Sequence, residues 1–184
     1  LRALVLVKPI PDLQNLSISR SLNRVFENGP RLMDPRAAPP IQAAVDGGAT
    51  VIALSVGHPD DTDGLRRALA MGATEAVLLA HPQGRLLDAA AVVGAIVAEC
   101  PECDVIFAGS PMGQVGPRLA EALGWAFSRQ SKPAPRTVHV IGPEVSARLP
   151  SALSILKAAR QPIQVLEARP GPAAVQVRSM EVTP

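Results

Sequence analysis

Three glycines crowd one stretch, Gly109-Ser110-Pro111-Met112-Gly113-Gln114-Val115-Gly116. It follows a short apolar run, Asp104–Gly109, and precedes an amphipathic one, Gly116–Gly124. A glycine-rich turn between strand and helix can present backbone amides to an anion, where the helix dipole favours negative charge. The amides of Gly113 to Val115 would then point outward, each charge-assisted bond contributing about 1.5–3 kcal/mol. The same turn can equally serve only to reverse the chain. Its spacing is neither G-x-x-x-x-G-K-[ST] nor a G-x-G-x-x-G fingerprint after the first strand. Spacing alone leaves both readings open.

Other reactive residue types offer less. Cys100 and Cys103 form a single C-x-x-C. Zinc needs four ligands, and no second pair or His pair accompanies it. The pair follows the helical segment Asp88–Glu99, and the C-terminal end of a helix dipole disfavours a thiolate. Two thiols in a helix-to-strand turn is the expectation. His58, His81 and His139 stand apart in sequence and read as surface or turn histidines. Asp60-Asp61 reads as a helix cap. No Ser-His-Asp or Cys-His set can be assembled, so no catalytic residues and no metal ligands are assigned.

The elements that would position these residues alternate. Ala3–Val7, Ala49–Val56, Glu75–Ala80 and Asp104–Gly109 are solid apolar runs of strand length, as in parallel strands covered on both faces. Between them lie helical segments: Asp61–Gly72 with Asp61 or Thr62 as N-cap, Asp88–Glu99, and Gly116–Gly124 closed by a glycine. In Pro35–Val45 the Pro39-Pro40 pair cannot sit inside a helix, so either a helix begins there or Pro35–Ala38 forms a separate turn. Beyond Phe127 a polar linker leads to extended segments. A helix, Ser151–Gln161, follows with Ser151 as its N-cap, then a strand within Ile163–Ala168. Residues 173–182 read as a further strand or a tail. The pattern predicts an α/β fold, a doubly wound, mostly parallel sheet with right-handed crossovers. Residues 1–126 form the nucleotide-binding-type domain, and residues 127–184 a C-terminal extended arm packing on that domain or on a partner.

At 184 residues and net charge +2, with no Tyr, three Phe and one Trp, the core must be built from Ala, Val, Leu and Ile. Few aromatics and scattered cations argue against nucleic acid as partner. No run is long enough for a bilayer and no secretory signal is seen, so membrane insertion is not expected and the cytoplasm is.

Open α/β sheets bind ligands beyond the carboxyl ends of their strands, where strand order reverses. Those ends carry Val7-Lys8-Pro9, Ser55-Val56-Gly57 and Gly109-Ser110, with Asp34-Pro35 beside them. Here a likeness becomes visible. Val5–Asp12 "VLVKPIPD", Leu32–Pro35 "LMDP", Gly47–Leu79, Gly113–Trp125 "GQVGPRLAEALGW" and Pro150–Ile163 "PSALSILKAARQPI" match successive motifs. Together they resemble the beta subunit family of electron transfer flavoproteins, over nearly the whole chain to about residue 168. The resemblance implies a Rossmann-like fold of the adenine nucleotide alpha hydrolase type. It implies a heterodimer with an alpha subunit that holds most of the FAD, and electrons arriving from a dehydrogenase. It implies a nucleotide on the beta chain, AMP or a second FAD. Carried over, the adenine and ribose side is Val7, Lys8, Pro9, Asp34 and Ser55–Gly57. The phosphate side is Gly113, Gln114, Val115 and Gly116, with Gly109 and Ser110 leading into it. Ala152 and Leu153 fall in the family's loop for docking dehydrogenases.

The chain departs from the family at the same places. Only Ser110-Pro111-Met112 bridges Gly109 and Gly113, without the acidic residues and threonine that precede G-Q-V in the family. Met112 has no hydroxyl to donate. Asp34 replaces an asparagine. The stretch before the docking loop, including N-E-P-R, is much shorter. Two further readings follow: a nucleotide sensor similar to universal stress proteins, whose G-x-x-G then G-[ST] order is reversed here, and a structural subunit that has lost its nucleotide.

Overall fold

The computed structural model describes residues 1–85, 87–99, 101–110 and 114–169. Ala3 to Leu6 are fully or nearly fully buried, as expected for an apolar strand with no polar face. This strand, β1 (Arg2–Leu6), leads into a short β2 (Pro9–Ile10). A 3-10 turn capped by Asp12 comes next, then β3 (Leu16–Ser19), β4 (Arg24–Glu27) and β5 (Leu32–Met33). β3 and β4 form an antiparallel hairpin, with Ile18 opposite Val25, and β2 pairs with β5. Sequence alternation did not mark this hairpin: its apolar residues, Ile18, Leu22 and Val25, are exposed and answer to no core period.

Both readings of the proline pair hold. Pro35–Ala37 is a 3-10 turn capped by Asp34, whose carboxylate accepts from the Arg36 N–H at 3.0 Å. The helix α1 (Ala38–Asp46) then starts with Pro39 and Pro40 in its first turn, where missing N–H groups cost nothing. The alternation expected from sequence follows: β6 (Thr50–Gly57), α2 (Asp63–Ala70), β7 (Glu75–Ala80), α3 (Ala89–Glu99), β8 (Val105–Gly109) and α4 (Val115–Leu123). Asp88 caps α3 through the Ala91 N–H at 2.7 Å. Gly124 ends α4 in the left-handed region, φ 63°. Past residue 126 the chain adds β9 (Ala126–Ser128), β10 (Thr137–Ile141), α5 (Ala152–Arg160) and β11 (Gln164–Glu167). Ser151 caps α5 as expected, accepting from the Ser154 N–H.

Seven strands form one all-parallel sheet in the order β11-β7-β6-β1-β8-β10-β9. From β1 the chain steps outward through β6 and β7, then returns across β1 to β8. The order therefore reverses between β1 and β8. One face of the sheet packs Ile41 of α1, Leu65 and Leu69 of α2 and Ala158 of α5. The other packs Ile96 of α3 and Leu119 of α4. This is the doubly wound α/β arrangement predicted. No helix among the described residues is long and apolar enough to cross a membrane.

Two histidines differ from expectation. His139 is buried on β10 and stacks on Phe107 at 4.9 Å. Its Nδ1 donates to the Gln130 carbonyl at 2.7 Å and its Nε2 accepts from the Ala134 N–H. One imidazole thus pins the polar segment between β9 and β10 to the sheet. His81 is also buried, its Nδ1 accepting from the Gln83 N–H, and that burial pushes its pKa down.

Candidate functional site

Beyond the carboxyl ends of β1 and β6, beside the reversal between β1 and β8, lies a cavity of about 280 Å³. Its floor is apolar: Leu6, Val7, Leu54, Val56, Val92 and Ile96, from the strand ends and α3. Its rim is polar and charged: Lys8, Asp34 and Arg36 on one side, Arg31, Asp61, Arg85 and Asp88 on another, and Gln114 at the start of α4. An apolar slot with a few convergent polar groups is the usual form of a small-molecule site. It also sits where open α/β sheets bind ligands.

The charged wall is organised. The Asp61 side chain is 1% exposed and holds Arg85 at 2.7 Å to Nη2 and 3.2 Å to Nε. Of the two N-cap candidates for α2, the structure takes Thr62, while Asp61 turns to Arg85. Arg85 also approaches Glu27 at 3.8 Å, and Glu27 takes a two-point grip on Arg31, at 2.7 and 2.9 Å. The Arg31 hydrogen bonds hold the Glu27 carboxyl below its ordinary pKa. Charge alternates along Asp61, Arg85, Glu27 and Arg31, tying the β3–β4 hairpin to the wall of the cavity.

The glycines of the opening stretch have packing roles. Gly109 lies against the carbonyl of Arg36, and any side chain there would overlap that backbone. Gly116 faces Val140 on β10, where an added Cβ would sit 2.6 Å from Val140 Cγ2. The first glycine admits the Pro35–Ala37 turn and the last lets α4 approach the sheet. Gly113 lies outside the described residues.

The electron transfer flavoprotein domain model matches residues 36–128. The chain belongs to the electron transfer flavoprotein family. It is 33% identical over 132 residues to an electron transfer flavoprotein subunit beta of Clostridium acetobutylicum, covering 65% of this chain and 51% of that protein. It is 29% identical over 137 residues to the caffeyl-CoA reductase-Etf complex subunit CarD of Acetobacterium woodii, covering 67% and 52%. The protein FixA of Azorhizobium caulinodans is 28% identical over 137 residues, covering 65% and 49%. The chain spans about half the length of the curated relatives it matches.

Within this electron transfer flavoprotein fold, eight of the residues singled out from sequence line one cavity: Val7, Lys8, Pro9, Asp34, Val56, Gly57, Gln114 and Val115. Four do not. Gly109 and Gly116 face packing neighbours, and the Ser110 N–H donates to the Ile141 carbonyl at 2.8 Å. Ser55 is buried, with its Oγ unpartnered. The alternation of β6 turns it toward the α1–α2 face, away from the cavity that Leu54 and Val56 line. Replacing Ser55 by alanine is therefore expected to stabilise the fold by about 1 kcal/mol, by removing an unsatisfied hydroxyl. Urea unfolding of the variant beside wild type checks this.

Ala152 and Leu153 open α5, in the layer of α1 and α2. They are exposed, as are Leu149 and Leu156 beside them. A groove of about 590 Å³ runs nearby between α2 and α5. Sequence reasoning missed Arg31, Arg36, Asp61 and Arg85. Arg36 directly follows Asp34-Pro35, so its place was within reach. The Asp61–Arg85 pairing carries no sequence signal: the partners are 24 residues apart and meet only through the tertiary fold.

Proposed function

We propose that this chain is the beta-type portion of a heterodimeric electron transfer flavoprotein, and that the cavity at the ends of β1 and β6 holds a nucleotide of AMP size. The observation that carries the reading is the cavity itself: an apolar slot with a rim of mixed charge, beside the strand-order reversal of a family member. Its volume lies near the lower end of the range for small-molecule sites, roughly 300–1,000 Å³. That favours AMP over FAD as its occupant. Val56, Val92 and Ile96 would flank the base, Asp34 would accept from ribose hydroxyls, and the amides opening α4 would face the phosphate. A flavin shared with the alpha subunit would supply the one- and two-electron chemistry. The residues of this chain bind and orient; none is assigned a proton or a nucleophile.

In this proposal a dehydrogenase donor docks at Ala152 and Leu153. The support is an exposed apolar surface of Leu149, Leu153, Ile155 and Leu156, larger than isolated surface leucines need. One observation favours a second reading, a subunit without nucleotide: packing alone accounts for Gly109 and Gly116. Mass spectrometry of small molecules released on denaturing the native protein, purified with its accompanying chain, separates the two. AMP together with a flavin-bearing chain at one-to-one ratio is the expected result. A flavin-bearing partner with no nucleotide would establish the second reading. ATP with no such partner would point to a stress-protein-like sensor.

A further inference from the structure

The cations around the cavity fall into two groups. Arg31 and Arg85 are committed to the carboxylates of Glu27 and Asp61. The side chains of Lys8 and Arg36 make no ion pair or hydrogen bond with the described residues, yet both line the cavity. They converge because of the fold. The Asp34 N–H donates to the Lys8 carbonyl at 2.9 Å, joining the end of β1 to the turn that carries Arg36. The Arg36 carbonyl rests against Gly109, so that turn also abuts the end of β8. From there the chain enters α4, whose Gln114 and Val115 line the same cavity.

Resting on the nucleotide reading above, the geometry points to Arg36, with Lys8, as the pair that binds the phosphate of a nucleoside monophosphate. The cavity floor is apolar and suits a planar ring, which leaves the charged end of such a ligand for the rim. Of the rim cations, these two are the ones whose charge no carboxylate of the described residues neutralises. A guanidinium offers paired donors that match phosphate oxygens. Asp34, beside Arg36, disfavours an anion at its own position and selects hydroxyls there. The two neighbours thus divide the ligand between sugar and phosphate.

The test is calorimetric titration of the full chain with AMP and with adenosine, which shares the base and ribose but lacks the phosphate. Wild type should bind AMP more tightly than adenosine, and added salt should weaken AMP alone. Arg36→Gln should weaken AMP at least about tenfold and leave adenosine unchanged, and Arg36→Lys should recover part of the loss. Unchanged adenosine binding also reports that the variant is folded. AMP binding insensitive to both Arg36→Gln and Lys8→Gln would overturn the assignment, as would equal losses for AMP and adenosine. So would wild-type binding of AMP no tighter than adenosine. In those cases the nucleotide reading stands. Wild type that binds neither compound would remove the nucleotide reading and the assignment together.

Discussion

Gly109→Ala is expected to cost about 3 kcal/mol of unfolding free energy, near the top of the usual range for overpacking a filled site. The added methyl would meet the Arg36 carbonyl, which is backbone and has no rotamer to change. Relief requires the Pro35–Ala37 turn to move off β8, and with it α1, which starts one residue later. Gly124→Ala is the control. That glycine sits at φ 63° with nothing within 4 Å, so alanine there meets only left-handed strain of about 1 kcal/mol. Urea titration of both variants compares the two costs. Equal unfolding midpoints for Gly109→Ala and wild type would refute the close-approach role. The displaced turn also carries Asp34 and Arg36, so Gly109→Ala should reduce ligand occupancy although the glycine does not line the cavity.

Arg85→Met should cost about 3 kcal/mol for a different reason. Asp61 is almost wholly buried, and its bonds to Arg85 are what compensate its desolvation. Methionine keeps much of the packing volume but leaves a buried carboxylate without its counter-charge. The reverse change, Asp61→Asn, should cost less, because the Arg85 side chain is 37% exposed and can turn to water. The double variant should be more stable than the sum of the single losses predicts, a coupling that a double-mutant cycle measures directly. Strict additivity would show that the pair contributes nothing as a pair.

The parts of the fold legible in the sequence are those with a period. Ala3–Val7, Glu75–Ala80 and Asp104–Gly109 are apolar apart from Glu75 and Asp104 because both sheet faces are covered, and their strands match those limits to within one residue. Caps with a local mechanism were legible too, as at Ser151 and Gly124. What sequence did not disclose depends on long-range contact. His139 reads as a turn residue until Phe107 and Gln130 close around it. Asp61 reads as a cap until Arg85 reaches it. Ser55 sits at a strand end in a matching motif, and only the pleat decides that it faces away from the cavity. The strand order followed from no single residue. The cavity follows directly from that order, which brings the ends of β1, β6 and α4 together.

That strand order also sets a timetable for the chain during synthesis. β1 is made before the other six strands of the sheet, and it sits at the middle with partners on both edges. One edge waits for β6 and the other for β8, where Ala3 pairs with Val105. At about 5–20 residues per second, the second partner arrives roughly 5–20 s after the first strand emerges. The β3–β4 hairpin is local enough to close meanwhile, on a scale of about 1–10 μs. Ala3 to Leu6, buried in the finished sheet, therefore wait with both edges unpaired until β6 is made and with one edge unpaired until β8 is made. Sheet assembly is dominated by such distant pairings and belongs with the slow topologies, and the nascent chain is exposed to aggregation until β8 has been made.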